Sequence, residues 1–331
     1  MTTTRQENDW GGPGLEADEQ EPMVSVLTIF YNRADLVATS LGSVLNQTYR
    51  NLEVIAIDDG STDETLAEME KFAGDHRLRL IAKENSGFTN SMIMAAGLAR
   101  GSLIAVHDAG DVSLPERVAR QVEAMRAYPD VGVVGCKVVN PVIGTARTKI
   151  VGRPNGLPFR PSLMARNMFT HGEVMFRKNL YDKVAGYRRQ FRFAQDIDLW
   201  IRISQHAGYH TVQDVLYERV EIAGSVSASA EKTLAQQQFS ELARQCGESI
   251  DRGGPDPVEQ FGDEAPAKLK PSARLADKLA RIAIRFALRS NDVDGAARIA
   301  RAAVASKRTP RALGAYAFAT ALRTLRRQGA A

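Results

Sequence analysis

Apolar positions along this chain fall into two alternating rhythms. Val24–Phe30 is a short run rich in β-branched residues, and 52–57, 78–82, Leu103–Val106 and 131–139 repeat it. Between these runs the apolar residues recur at helical spacing. Leu36, Val37, Leu41, Val44 and Leu45 form one set, and Leu66, Met69 and Phe72 the next. Met92, Ala96 and Ala99 follow, then Val118, Val122 and Met125. Strand alternating with helix predicts an α/β fold, a doubly wound and mostly parallel sheet flanked by helices. Such sheets bind ligands at the carboxyl ends of their strands. Three of the first four strands end in polar clusters: Tyr31-Asn32-Arg33, Asp58-Asp59-Gly60-Ser61 and Asp108-Ala109-Gly110-Asp111.

The rest of the chain is organised differently. Residues 140–161 are rich in Gly, Pro and basic side chains and read as a mobile loop or hairpin connection. A second block, 171–227, holds an apolar segment (174–176), a helix (196–206) and a strand (211–217). Residues 253–271 read as a Gly/Pro/acid linker. Alanine-rich amphipathic helices follow at 272–290, 292–306 and 310–328, a small helical module with too few repeats for a solenoid. The expected organisation is a tail, 1–22; a main domain, 23–228, with halves at 23–139 and 140–228; a helix and linker, 229–271; and a helical extension, 272–331.

Composition sharpens this picture. The 331 residues are 44% hydrophobic and 25% charged, which suits a globular chain with a substantial core. No apolar run approaches the roughly 18 to 20 residues that span a bilayer. Residues 1–22 are acidic and polar without an apolar centre, so a disordered tail is expected there and not a secretory signal. Cys136 and Cys246 fit no metal spacing and are expected as buried free thiols in a reducing, cytoplasmic setting. The net charge of +4 is uneven: from residue 265 onward 15 Lys and Arg face 3 acids, which leaves −8 for the remainder. Basic residues on such helices form a solvated face, meet an anionic membrane surface or dock a partner. Nucleic acid is not expected, because no aromatic platform accompanies the charge.

The polar clusters carry the chemistry. In Asp58-Asp59-Gly60-Ser61-Thr62-Asp63, a capped strand-to-helix turn explains Gly60 to Asp63, with Ser61 or Thr62 as cap. It leaves unexplained two adjacent carboxylates at the end of a buried strand, where repulsion and desolvation both cost stability. A ligand bearing N–H or hydroxyl donors would offset that cost. Asp108 and Asp111 precede a helix opened by Ser113-Leu114-Pro115-Glu116, with Ser113 as its cap. The same two carboxylates suit a divalent cation, Mg²⁺ or Mn²⁺, held against a diphosphate. In Gln195-Asp196-Ile197-Asp198-Leu199-Trp200, one aspartate would cap the helix and the other is free to act as a general base.

Taken in order, several segments carry a family likeness. They are Val-Ser-Val-Leu-Thr-Ile-Phe-Tyr-Asn-Arg (24–33), Leu-Asn-Gln-Thr-Tyr (45–49), Asp-Asp-Gly-Ser-Thr-Asp (58–63), Asp-Ala-Gly-Asp-Val-Ser-Leu-Pro-Glu-Arg (108–117), Val-Met-Phe-Arg (174–177) and Gln-Asp-Ile-Asp-Leu-Trp-Ile-Arg (195–202). The chain from 24 to 227 resembles the family 2 inverting glycosyltransferases of the GT-A fold. That resemblance implies a nucleotide-sugar donor, a glycan or lipid-linked hydroxyl acceptor, and work on surface glycans or polysaccharides. It also implies roles. Ile29 and Tyr31 would flank the nucleotide base, Asp59 would accept a hydrogen bond from it with Asp58 alongside, and Asp108 would meet the ribose or the metal-bound diphosphate. Asp108 and Asp111 would hold the metal. Asp196 would be the catalytic base. His171 and Arg177 would fall on the acceptor side, and Trp200 would wall the acceptor cleft.

The chain departs from the family's pattern in three places. Gly110 stands where relatives carry the Asp that is the usual metal ligand. Asn90 and Met92 stand where a basic residue is expected, and Glu221 replaces a late histidine. These changes keep a second reading open, a non-catalytic module that binds nucleotide or glycan. A third, a nucleotidyltransferase, needs a Gly-rich basic phosphate loop after the first strand, which Tyr31-Asn32-Arg33 does not offer.

Overall fold

The computed structural model describes residues 21–142, 147–220, 229–289 and 292–328. Most of the acidic tail 1–22, and Glu221, lie outside these. The chain divides into two compact units, Met1–Arg189 with Leu199–Glu221 and Gln190–Asp198 with Ile222–Ala331.

The first unit is built on a nine-stranded sheet. Its early elements are β1 (Val24–Phe30), α1 (Ala34–Leu45), β2 (Leu52–Asp59), α2 (Thr65–Glu70), β3 (Leu78–Lys83), α3 (Phe88–Leu98) and β4 (Leu103–Val106). β1, β2 and β4 are buried along their whole length, as strands covered on both faces must be. β5 (Val112–Ser113), α4 (Arg117–Ala127), β6 (Val131–Pro141), β7 (Thr148–Val151), α5 (Phe159–Ala165), β8 (Met175–Arg177), α6 (Lys178–Lys183), α7 (Gln195–Ile203) and β9 (Gly208–Glu218) follow. The strand order is β3-β2-β1-β4-β8-β6-β9-β5, with β7 paired on β6.

Pairing is parallel across β3-β2-β1-β4 and between β6 and β9, and antiparallel at β8, β5 and β7. Parallel pairing thus runs through the alternating strand and helix segments, and the sheet turns mixed where three short strands interrupt the alternation. On one face Val26, Phe30, Val54 and Ala105 pack with Val37 and Leu41 of α1 and Val122 and Met125 of α4. Each such side chain is worth about 1.5–3 kcal/mol when fully buried. α3 packs on the opposite side of β1 and β2.

The 140–161 segment forms a hairpin in its described part, where β7 pairs antiparallel with β6, and residues 143–146 lie outside the described ones. Two further expectations are corrected. Neither Ser61 nor Thr62 caps α2, and Ser113 sits in β5, not at the start of α4. Both serines are taken up by side chains of the site instead.

The second unit is helical: α8 (Ala230–Asp251), α9 (Pro257–Phe261), a 3₁₀ segment (Gly262–Lys268), α10 (Ala273–Arg289), α11 (Val293–Ser306) and α12 (Pro310–Gln328). Its core is small-residue packing: Leu275, Leu279, Ala283 and Phe286 against Ala296, Ile299, Ala300, Ala303, Ala312 and Ala319. The expected linker at 253–271 is largely helical. Asp256 accepts from the Val258 and Glu259 amides and Glu259 answers with the Asp256 amide, a reciprocal cap opened by Pro257. Among the described residues no helix is long and apolar enough to cross a membrane.

Candidate active site at the carboxyl edge of the sheet

Asp58 and Asp59 are successive residues at the end of β2, so the pleat turns them to opposite faces. Asp58 accepts from the Ser61 hydroxyl and, at 3.3 Å, from the Ser61 amide. Ser61 Oγ in turn takes the Asn32 amide at 3.0 Å, and Asn32 Oδ1 takes the Thr62 amide at 2.8 Å. This lattice joins the ends of β1 and β2 and holds Asn32 at a positive φ of 50°. Asp58 therefore holds the turn together, beside Asp59 at the end of the strand.

Asp59 faces α3. Its carboxylate accepts from Ser91 Oγ at 2.8 Å, from the Ser86 and Gly87 amides at 3.1 and 3.0 Å, and from the Lys83 ammonium. Burial alone would raise its proton affinity. Lys83, Ser86 and Ser91 outweigh burial and hold the carboxyl below its ordinary range. The cost of two adjacent carboxylates is thus met by the chain itself, not by a required ligand. Asp59 still stands at the edge. Ile29 is buried beneath it, paired with Ile57, and Tyr31 projects past the end of β1 with 46% of its surface exposed.

The Asp108 turn is fixed from below. His107 is buried between Ser40 Oγ at 2.9 Å and Ser113 Oγ at 3.0 Å. Burial, then the Arg117 charge, push its pKa down to about 3, so the imidazole is neutral. Arg117 is buried too and donates to Ser113 Oγ at 2.8 Å and to the Val106 carbonyl at 2.7 Å. Its guanidinium lies 4.9 Å from the centre of the Tyr217 ring. β5 carries the turn to the end of β9, where the Tyr217 hydroxyl takes the Asp108 amide at 3.1 Å and the Val220 amide donates to Asp111 at 3.0 Å. Burial, then the neighbouring Asp108, raise the Asp111 pKa to about 7. Gly110 adopts φ 106°, a backbone region that favours glycine, and its amide donates to Ser40 at 2.9 Å.

His171 approaches from the 3₁₀ turn His171–Glu173. Its Nε2 meets the Tyr187 hydroxyl at 2.8 Å, while its buried Nδ1 has no hydrogen-bond partner and lies 3.7 Å from Asp108 Oδ1. Phe88, the first residue of α3, stands edge-on to the imidazole. Gly172 is pressed against the turn: a Cβ there would come within 2.1 Å of the Tyr217 hydroxyl and 2.9 Å of Asp108.

The structure thus brings Tyr31, Asp59, Asp108, Asp111 and His171 to one edge of the first unit. It does not bring Arg177 there. Arg177 lies opposite Leu103, at the other end of β4, where it donates to the carbonyls of Val131 and Met125 at 2.7 and 2.8 Å. Trp200 walls no cleft; it is fully buried against Phe169 and Phe176. Asp196 is buried in the first turn of α7 and falls in the second unit. Sequence reasoning missed Lys83, Ser91, His107, Arg117 and Tyr217. Lys83 was within reach, since it pairs in register with Asp59 at the same strand edge.

A divalent cation can be tested against this arrangement. Among the described residues no group of three or more His, Cys, Asp or Glu side chains is disposed to hold a metal. Asp108 keeps 34% of its side chain exposed, Asp111 lies behind it, and the unpartnered His171 nitrogen faces it. The two carboxylates alone fall short of a protein-built site and suit only an ion that takes most of its shell from water and substrate phosphate, as Mg²⁺ does.

Comparison with known proteins fits this geometry. Residues 25–188 match the sequence model described as glycosyl transferase family 2. A Bacillus subtilis (strain 168) protein described as putative glycosyltransferase EpsE is 35% identical over 206 residues, 60% of this chain and 72% of its own. The Escherichia coli O-antigen biosynthesis glycosyltransferase WbnJ is 31% identical over 183 residues, 55% of this chain and 71% of its own. Among solved structures, the Pyrobaculum calidifontis mannosyltransferase PcManGT, in complex with GDP-Man and Mn²⁺, superposes with a TM-score of 0.55 at 23% identity. That likeness covers 96% of this chain and 87% of the other, and it establishes the GT-A architecture alone.

Proposed function

The chain belongs to glycosyl transferase family 2, and on that premise we propose that it moves a sugar from a nucleoside-diphosphate sugar to a hydroxyl acceptor with inversion. One observation carries this reading: Tyr31, which is exposed, Asp108, which is partly exposed, and the buried Asp59 converge where β1, β2 and β4 end, with His171 against Asp108. Tyr31 stacks on the base above the apolar floor of Ile29. The second oxygen of Asp59, which meets only the Gly87 amide among the donors named above, accepts from the base N–H. Asp108 meets the ribose or the diphosphate.

A divalent cation would be held by Asp108 with Asp111 behind it, and would neutralise the diphosphate leaving group; the complex of the Pyrobaculum calidifontis neighbour with GDP-Man and Mn²⁺ supports its inclusion. Asp196 is the general base that takes the acceptor proton as the hydroxyl attacks the anomeric carbon. A relative named for O-antigen biosynthesis supports a glycan or lipid-linked acceptor in surface polysaccharide assembly. The enzyme then works on the cytoplasmic side, peripheral to the membrane that holds such acceptors.

The test is a panel of UDP-, GDP- and dTDP-sugars read by release of nucleoside diphosphate, with and without EDTA. Asp196→Asn should lower turnover by about 10²- to 10⁴-fold while nucleotide still binds by calorimetry. Unchanged turnover in that variant sinks the base assignment. The rival reading, a non-catalytic binding module, is favoured by Gly110 in place of the metal ligand. Nucleotide binding without turnover across the whole panel would select it.

A further inference from the structure

α12 is apolar on two sides. On one, Ala312, Ala315 and Ala319 are buried against the core of the second unit. At 100° per residue the opposite arc, about 140° wide, carries Leu313, Ala317, Phe318, Ala321, Thr324 and Leu325. Every one of these is exposed: Leu313 by 47%, Phe318 by 39% and Leu325 by 64%. No charge interrupts this arc. With one apolar face already packed on the core, this second, outward arc is left open to water and calls for cover of its own.

The surroundings say what the cover is. Residues 272–328 hold 13 Lys and Arg against 3 Asp, a net of +10. The acids are already engaged: Asp277 with Arg311 at 3.2 Å, Asp294 with Arg323 at 2.5 Å, and Asp292 with the Gly295 amide that opens α11. On α10, Ile284 and Leu288 are likewise exposed, beside exposed Arg281 and Arg285. A second copy of this module would bring two strongly cationic surfaces together, which works against self-pairing. An anionic bilayer meets both needs, taking the apolar arc into its interface and the arginines at its headgroups.

We infer that the outward face of α12 is a membrane-docking surface, which seats the second unit on anionic lipid with Leu313, Phe318 and Leu325 inserted at the headgroup boundary. This concerns the surface of the second unit alone. It deepens the peripheral placement proposed above, but it stands or falls without any sugar transfer.

The test is co-sedimentation of the full chain with vesicles of phosphatidylcholine, pure or mixed with about one third phosphatidylglycerol. The wild-type chain should sediment with the mixed vesicles, remain in solution with the neutral ones, and release as salt rises and screens the arginines. Phe318→Ser with Leu325→Ser should weaken the anionic partition by at least about tenfold with an unchanged melting curve. If that pair melts early, Leu313→Ser alone, at an exposed position, should weaken it in the same sense. Three outcomes would overturn the inference: no binding of the wild-type chain to anionic vesicles, full binding by the serine variants, or a wild-type dimer in light scattering that the serine variants convert to monomer.

Discussion

Glu173 closes the turn that presents His171, and it should make the protein lose stability as pH rises from mild acid to about 8. Burial pushes its pKa from 4.5 up to about 8, against the pull of the Thr170 amide and of Arg117, Arg153 and Arg219. The unfolded chain releases this proton above pH 4.5 and the folded chain keeps it to about pH 8. Between those values the native state binds more protons, so stability falls as pH rises through the window. At about 1.4 kcal/mol per pH unit the loss across this window is on the order of 5 kcal/mol. Glu173→Gln keeps the shape and cannot ionise, so it should lack this decline. Melting temperatures of the two chains, followed from pH 5 to 8.5, should diverge by roughly 10 °C in favour of the variant at the alkaline end. Other buried groups titrate alike in both chains and cancel in the comparison. Parallel curves would refute the reasoning and show that Glu173 is ionised in the fold.

Lys83→Met leaves the buried Asp59 carboxylate without its cation; the chain should lose about 3 kcal/mol in urea titration and bind nucleotide more weakly by calorimetry. A variant of wild-type stability would show the ion pair to be incidental. Gly110→Ala places a side chain at a positive φ and should cost about 1–3 kcal/mol in the same titration. It should also reduce turnover through the displaced Asp108 and Asp111, and an unchanged kcat would mean that the turn is not held as described.

The parallel half of the fold was legible in the sequence because its strands are continuous apolar runs bounded by polar clusters; Val24–Phe30 and Leu103–Val106 need no adjustment. The mixed half was not, since β5 and β8 have two and three residues, too few to show a period. α9 hid inside a stretch of Gly, Pro and acids because its helix rests on a reciprocal cap, not on apolar spacing. In the site, the strand edge was legible and the sidedness was not used. Asp58 and Asp59 look equivalent as letters, yet the pleat gives one to a turn and the other to α3. Arg177 and Trp200 were assigned to a cleft by motif position. Burial gives them to the core, where backbone carbonyls and aromatic rings already surround them. His107 and Tyr217 belong to the site only through contacts that cross the sheet, and no local pattern announces those.

Gly172 bears on how this sequence can change over time. The adjoining Asp108 amide and Tyr217 hydroxyl leave no space for even one methyl group at that position. A drift to alanine would be conservative by any substitution table, yet it would wedge the tyrosine off the amide and tilt the acidic turn with it. Tolerance at this edge therefore runs opposite to chemical expressiveness. Exposed Tyr31 can be exchanged for another flat side chain without disturbing its neighbours, whereas the residue with no side chain has no permitted successor unless Tyr217 changes first. In a lineage diverging toward new donors, position 172 should stay fixed while position 31 varies.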